Sequence, residues 1–230
     1  MSKILLRAEG VCVRRGLRPV VRGVTLEAAA GEIVLIVGHN GSGKSTLLNA
    51  LAGLLPIESG SVHAAGGLGS RAFSVLLQGE SLFLHLSAIE NTAAQALGCF
   101  RPRSQDKRDL EAQVIAQFPE LKGQLRRTCA ELSGGMRQLV ALSGCVLSDH
   151  PIKLLDEPSV GVAPSLAPRA LSWLRDRIRA RGQCALIVEH NVALVAPFAD
   201  RLCVLNNGEV VYNGSPSLLD DGARFRALYL

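Results

Sequence analysis

Five apolar stretches of the chain have the length and composition of β-strands. They span residues 4–13, 24–26, 33–37, 152–155 and 184–188. The last three are rich in aliphatic residues and lack polar alternation, which is typical of strands buried on both faces of a parallel sheet. Lys153 interrupts the fourth stretch, so we expect one face of that strand to be partly exposed.

Amphipathic segments lie between these strands. Leucines recur at helical spacing over residues 47–55 and predict a helix that ends at Pro56, because proline cannot continue an α-helix. Residues 165–181 predict a second amphipathic helix. Strands that alternate with helices favour an α/β fold with a mostly parallel sheet.

The middle of the chain has a different pattern. From residue 87 to residue 148 helical patterns dominate, and strand-like runs are absent. We therefore expect a single domain over residues 1–230, in which residues 87–148 form an inserted helical subdomain. Towards the end, residues 202–212 predict a hairpin with its turn at residues 206–208.

Composition narrows the class of protein. With 48% hydrophobic and 20% charged residues, the chain is neither a disordered nor a coiled-coil sequence. Its mean hydropathy of +0.24 is high, yet no apolar run approaches the roughly 18 residues of a membrane-spanning helix. Glu9 follows the first apolar residues too soon for a signal peptide. These features predict a soluble protein of the cytoplasm.

The net charge of +5 does not by itself predict a nucleic-acid partner. Only five of the 25 basic residues are lysines, and the arginines are scattered. Aromatic residues, which stack on bases, make up 4% of the chain. A solvated basic surface is the simpler interpretation, and attraction to an anionic membrane face or an acidic partner is the alternative. We expect no nucleic-acid binding.

The strongest local signal is a glycine-rich loop between the strand at 33–37 and the helix that follows it. The loop reads Gly38-His39-Asn40-Gly41-Ser42-Gly43-Lys44-Ser45-Thr46, which is a G-x4-G-K-[ST] phosphate loop. Glycines allow backbone angles that turn successive N–H groups towards phosphate oxygens, and the following helix adds the positive end of its dipole. Lys44 is expected to reach the β- and γ-phosphates of a nucleoside triphosphate, and the Ser45 hydroxyl to bind Mg²⁺.

Two acidic residues follow the strand at 152–155. Asp156 and Glu157 are predicted to lie at the carboxyl edge of the sheet, near the phosphate loop. There Asp156 is expected to hold Mg²⁺ through water. Glu157 is expected to accept a proton from the attacking water, or to orient that water. An Asp-Glu pair after a strand is more often a surface feature, and the phosphate loop is what favours the catalytic interpretation.

A third motif identifies the family that the sequence resembles. The segment Glu131-Leu132-Ser133-Gly134-Gly135-Met136-Arg137-Gln138 resembles the signature sequence of ABC-type ATPases. An isolated Ser-Gly-Gly is by default a helix N-cap, but this one lies between the phosphate loop and the Asp-Glu pair. The resemblance implies that residues 132–136 form a second anion site at a helix N-terminus. In this family that site closes over the γ-phosphate bound by the other protomer.

The resemblance assigns two further residues. Gln78 follows the apolar run 73–77 and matches the family's Q-loop glutamine, which implies a part in catalysis and in Mg²⁺ binding. His190 follows the strand at 184–188 and matches the switch histidine that contacts the γ-phosphate. The five motifs occur in the family's order along essentially the whole chain. The implied fold is a P-loop NTPase core with a mostly parallel sheet, antiparallel N-terminal strands and a helical subdomain, and the implied cofactors are ATP and Mg²⁺.

A finer likeness points to the ATPases of branched-chain amino-acid importers. Residues 156–164 resemble that group, in which the usual D-loop aspartate is also absent, and Ala163 fills its place here. Residues 118–122 and 188–192 point in the same direction. The likeness implies import of amino acids or similar small polar solutes.

Three features depart from the family pattern. They are Arg15-Gly16 in place of a Tyr-Gly pair whose ring stacks on adenine, Ser143-Gly144 in place of a frequent arginine, and a short segment between Lys44 and Gln78. None removes a residue of the hydrolytic machinery, but the first leaves base recognition open. A guanidinium plane at Arg15 can stack on a base, and Leu17 or Val20 would offer an apolar contact instead.

The resemblance implies an ATP-hydrolysing subunit on the cytoplasmic face of the cell membrane. It implies head-to-tail pairing with a second ATPase subunit, either a copy or a sister chain, and separate membrane permease subunits. One alternative is a soluble ABC ATPase in assembly, repair or translation, although such proteins usually carry two cassettes or long coiled insertions. The other is a regulatory subunit with negligible turnover, against which Glu157 and His190 argue.

Overall fold

The chain divides into two units whose segments alternate along the sequence. The computed structural model describes residues 3–67, 72–77, 79, 82–98 and 103–229. The first unit comprises Met1–Val75, His150–Glu157 and Ile178–Leu230, and the second comprises Leu76–Asp149 and Pro158–Arg177. The segment that directly follows Glu157 therefore belongs to the second unit.

Nine strands and seven α-helices lie in the described ranges. The strands are β1 (Ile4–Arg15), β2 (Arg18–Ala29), β3 (Ile33–Val37), β4 (Ser59–Ala64), β5 (Phe73–Leu76), β6 (Ile152–Asp156), β7 (Cys184–Val188), β8 (Arg201–Asn206) and β9 (Glu209–Gly214). The helices are α1 (Lys44–Leu51), α2 (Ala88–Leu97), α3 (Ser104–Gln117), α4 (Gly134–Leu147), α5 (Ala167–Arg181), α6 (Val192–Val195) and α7 (Gly222–Tyr229). No helix in these ranges is long and apolar enough to cross a membrane.

The expected antiparallel N-terminal strands form a three-stranded sheet in the order β2-β1-β4. β2 is far longer than the three residues predicted at 24–26. Its apolar residues are buried at alternating positions, but Arg22 and Gly23 interrupt the pattern along the chain. β4 was not predicted, because Val62 is its one fully buried residue and leaves little hydrophobic signal.

A six-stranded sheet has the order β5-β6-β7-β3-β8-β9 and confirms the predicted mostly parallel sheet. β6, β7, β3 and β8 run parallel, and β9 is antiparallel to β8 in the predicted hairpin. The expectation that Lys153 marks a partly exposed face is wrong. Lys153 and Leu154 point to opposite faces, and both are fully buried, because β6 lies inside the sheet. The carboxyl ends of the parallel strands share one edge.

Helix α1 packs the predicted leucines Leu47, Leu48 and Leu51 into the core of the first unit. The helix ends at Leu51, so the prediction that it continues to Pro56 is wrong. Gly53 adopts a left-handed backbone with φ of +75°, which ends the helical path. Leu54, which the leucine pattern placed on the helix, is instead 56% exposed.

In the second unit, the middle of the chain contains the helices α2, α3 and α4. α2 begins with a capping box in which Ser87 and Glu90 bond each other's backbone N–H groups, and it packs against α4. A Cβ atom at Gly144 of α4 would lie 2.8 Å from Gln95 Oε1 and 3.3 Å from the Thr92 carbonyl oxygen. The close approach of α2 therefore leaves no room for a larger side chain at Gly144.

Candidate active site

The phosphate loop joins the buried strand β3 to helix α1, as predicted. Gly43 has a left-handed φ of +103° and forms the N-cap of α1 without a side-chain cap. No acidic residue lies in the first turn of this helix, although the charges of Asp156 and Glu157 act on Lys44 at its first position. A Cβ atom at Gly38 would collide with the Leu205 carbonyl oxygen. The loop is therefore held close to neighbouring backbone, and the N–H groups at the start of α1 follow it directly.

Lys44 is buried within this loop, with 5% of its surface exposed. Its Nζ donates hydrogen bonds to the carbonyl oxygens of Gly38, at 2.7 Å, and of His39, at 2.9 Å. Burial lowers the pKa of Lys44, and the negative charges of Asp156 and Glu157 oppose that shift. An added phosphate charge would favour the ammonium form in the same way.

Asp156 ends β6 and is buried at the edge of the sheet where the phosphate loop begins. Burial raises the pKa of its carboxyl group, while a hydrogen bond with the Ser45 side chain and the charge of Lys44 partly oppose that rise. Its Oδ1 atom is buried and has no hydrogen-bond partner in the protein. The two residues predicted to share an ion, Ser45 and Asp156, thus lie close enough for the Ser45 side chain to affect the pKa of Asp156.

Glu157, predicted to act on the attacking water, and His190, predicted to contact the γ-phosphate, are also brought together. His190 Nε2 lies 3.0 Å from Glu157 Oε1, and the two side chains are 40% and 12% exposed. Glu157 has a left-handed backbone with φ of +52°, which is unusual for a residue other than glycine. Its N–H donates to the Val188 carbonyl oxygen at 2.9 Å, which helps to hold it there. Such strain at a functional side chain typically costs about 1–3 kcal/mol.

Glu189 is a supporting residue that the sequence analysis missed. It is 2% exposed, and its Oε2 accepts the backbone N–H groups of His190, at 3.0 Å, and Asn191, at 3.2 Å. These bonds fix the turn that carries the histidine. The sequence contains a signal that could have identified Glu189, because an acidic residue ends an otherwise apolar run directly before the candidate histidine.

The signature residues lie in the second unit, at the start of α4. Ser133 is the N-cap, and its Oγ accepts the Met136 N–H at 3.3 Å. Leu132 is buried beside it, whereas Ser133 and Gly134 are exposed. A Cβ atom at Gly135 would lie 2.7 Å from the Gly161 carbonyl oxygen. The predicted helix start is present, and the role of residues 132–136 towards a second nucleotide stays a prediction.

Two predictions remain, the Q-loop glutamine and the residues that contact the nucleotide base. Gln78 lies outside the described residues. Arg15 lies exposed near the tip of the β1–β2 hairpin, opposite Arg18, and Leu17 at that tip is 93% exposed. Val20 is the apolar candidate placed at the phosphate loop, because its Cγ1 would lie 3.5 Å from a Cβ atom at Gly43.

Comparison with known proteins also indicates an ABC transporter ATPase, over nearly the whole chain. A family model described as "ABC transporter" matches residues 21–160. The high-affinity branched-chain amino acid transport ATP-binding protein BraG of Pseudomonas aeruginosa is 32% identical over 98% of this chain and 99% of its own length. The thiamine import ATP-binding protein ThiQ of Photorhabdus laumondii is 36% identical over 86% of each chain.

Solved structures agree with this assignment. The structure of an ATP-binding subunit of an ABC transporter superposes with a TM-score of 0.84 at 25% identity, and the match covers 98% of this chain and 94% of that one. The predicted resemblance and the predicted fold are therefore both confirmed. The chain belongs to the ABC transporter family, as an ATP-binding subunit that hydrolyses ATP.

Proposed function

We propose that this ATPase drives import of an amino acid or a similar small polar solute through separate membrane permease subunits, from the cytoplasmic face of the cell membrane. The near-full-length similarity to BraG, whose name states branched-chain amino-acid transport, supports that solute class. ThiQ, named for thiamine import, aligns over a smaller share of the chain. Both relatives are transport proteins, so they do not favour the non-transport alternative.

The contact between Glu157 and His190 carries the catalytic part of the proposal. Glu157 accepts a proton from the water whose oxygen forms a bond to the γ-phosphorus, while the bond to the β-phosphate oxygen breaks. ADP and phosphate are the products. His190 holds the Glu157 carboxylate from one side, and in our proposal it also contacts the γ-phosphate.

Lys44 and the loop backbone hold the triphosphate. The N–H groups at the start of α1 act as anion donors, and the buried ammonium of Lys44 adds a charge-assisted contact to the β- and γ-phosphates. The hydrogen bonds of Lys44 to the carbonyl oxygens of Gly38 and His39 set the position of its ammonium group in the loop.

Ser45 and Asp156 fit the expected Mg²⁺ ion. Mg²⁺ prefers oxygen ligands, and these residues provide a hydroxyl and a carboxylate whose buried Oδ1 has no protein partner. The pKa of Asp156 is raised by burial, so a nearby cation would stabilise its ionised form. When bound, the ion supplies charge neutralisation at the β- and γ-phosphates. Gln78, the other expected ligand, lies outside the described residues.

A second ATPase subunit completes each site in our proposal. Ser133 and Gly134 are exposed at the start of α4, and no acidic residue lies in the first turn of this helix. An exposed helix N-terminus of this kind is suited to a phosphate that another chain carries. The second subunit is either a copy of this chain or a sister ATPase.

Reconstitution tests the proposal. The protein is purified from membranes of the cells that make it, its multi-spanning partners are identified, and the complex is placed in liposomes with ATP on the side that exposes the ATPase. We expect uptake of radiolabelled leucine, but not of thiamine, and no uptake with the Glu157→Gln variant. The absence of a stoichiometric membrane partner, or thiamine uptake alone, would contradict the proposed transport role or its solute class.

A further inference from the structure

A chain of side-chain contacts links the phosphate loop to helix α7. His39 is the second residue of the loop, and its Nε2 lies 3.2 Å from Oδ1 of Asn206, the last residue of β8, where the β8–β9 turn begins. The other ring nitrogen, Nδ1, lies 2.8 Å from the Asn40 carbonyl oxygen. On its far side, Asn206 Nδ2 donates to the Leu228 carbonyl oxygen of α7 at 3.3 Å. Asn206 thus lies between a loop side chain and the helix.

The same turn also holds the backbone of the phosphate loop. The Gly208 N–H donates to the Ser42 carbonyl oxygen at 3.0 Å. The Leu205 carbonyl oxygen lies so close to Gly38 that no Cβ atom would fit. The turn therefore contacts the loop at its first residue, at His39 and at Ser42.

Sheet topology explains why this turn reaches the loop. β3 and β8 are parallel neighbours, with Val37 paired to Val204, so both strands end at the same edge. The phosphate loop starts one residue after Val37, and Asn206 follows Val204 by two residues. The two segments leave the sheet side by side, and their contacts restrict the conformation of the loop. Such pre-organisation lowers the cost of binding, because less conformational freedom is lost.

We propose that Asn206 is a positioning residue for nucleotide binding, which acts by holding His39 and thereby the phosphate loop in its binding conformation. The inference rests on the proposed role of that loop in holding the triphosphate. The role of Asn206 goes beyond the proposed function, because this residue belongs to none of the family motifs and lies in a different segment of the chain. Its bond to Leu228 makes α7 part of the same support.

Steady-state ATP hydrolysis tests this proposal through the separation of KM from kcat. Asn206→Ala is expected to raise the KM for ATP about three- to tenfold, the usual scale for one lost hydrogen bond. The kcat at saturating ATP should stay within about twofold, because the contacts made by Glu157 are untouched. Asn213→Ala is the matched control, since Asn213 is exposed on β9 of the same hairpin and bonds Arg201 rather than the loop. It should leave both constants unchanged.

A double variant identifies the route. His39→Ala combined with Asn206→Ala should raise KM no more than His39→Ala alone, because both act through one contact. Additive effects of the two substitutions would overturn the route through His39.

The outcomes also separate this inference from the proposed function. If the wild-type protein binds no ATP by calorimetry, the proposed function fails. If the wild type binds and hydrolyses ATP while Asn206→Ala has the KM of Asn213→Ala, the positioning role alone fails. Thermal unfolding of each variant is measured alongside, and a KM rise that merely follows a lower Tm would also count against it.

Discussion

Two parts of the ATPase, the nucleotide face of the first unit and the signature segment of the second, are built in different ways. In the first unit, Lys44 and Asp156 are buried, and the side chains of Glu157 and His190 are in contact. In the second unit, Ser133 is exposed and caps its own helix. The first arrangement is a pre-organised site, whereas the second is a surface that needs a ligand brought to it.

The electrostatic environments of the two regions also differ. Burial lowers the pKa of Lys44 and raises the pKa of Asp156, so both charges lie where the effective dielectric constant is low and their interactions with phosphate are strong. The signature instead offers backbone N–H groups at the start of α4 and no charged side chain in its cap. Substitution of Lys44 should therefore weaken ATP binding by a single chain more than substitution of Ser133.

The largest effect is expected for Glu157→Gln. The water loses its proton acceptor while the phosphate contacts survive, so hydrolysis should fall by about 10²- to 10⁴-fold with ATP affinity unchanged. The variant should accumulate as an ATP-bound dimer in size-exclusion chromatography. Glu209→Gln, at an exposed position on β9, is the control. Turnover at the wild-type rate would exclude Glu157 as the catalytic carboxylate.

Lys44→Ala should act on binding itself. It removes a buried, charge-assisted contact to the phosphates, so the Kd for ATP should rise roughly 10- to 100-fold. Calorimetry measures this, with the exposed Lys122→Ala as the matched control. An unchanged Kd would show that the loop backbone alone holds the triphosphate.

Ser133→Arg tests the other side of the comparison. Since the signature is exposed and is expected to serve the opposite protomer, this variant should bind ATP as a monomer with nearly wild-type affinity but fail to form the closed dimer. Mixing it with Lys44→Ala should restore detectable hydrolysis, because one composite site per heterodimer is then intact. If Ser133→Arg weakened ATP binding by the monomer as strongly as Lys44→Ala, the proposed division of labour would be wrong.

The smallest effect is expected for substitution of Arg15, the candidate contact to the nucleotide base. Arg15 replaces an aromatic ring, and stacking is worth about 1–3 kcal/mol per base in nucleic-acid binders. We expect modest ATP affinity with poor discrimination against GTP, and about tenfold tighter ATP binding in Arg15→Tyr at the lower end of that range. Calorimetry with both nucleotides measures this, with Arg18→Tyr on the paired strand as the control. Strong ATP preference in the wild type, with no gain in Arg15→Tyr, would show that other residues hold the base.

Local motifs were predictable because each carries its chemistry in a few adjacent residues. The strand, glycine-rich loop and helix around Lys44 follow from composition and spacing alone, and so does the acidic end of β6 at Asp156. Elements with weak patterns were missed or misjudged. β4 has a single fully buried residue, and Gly53 rather than Pro56 ends α1.

The sequence by itself determined the family, the α/β class and the identity of the residues in the nucleotide motifs. Only the tertiary structure decided which of these residues come into contact, because strand order depends on pairing between distant segments. β6 and β7 are neighbours, so Glu157 and His190, which lie beyond their carboxyl ends, come to 3.0 Å of each other. It also decided that Lys153 is buried and that Glu189 and Asn206 support the site. Burial and hydrogen-bond partners depend on neighbours distant in the chain, which no local pattern records.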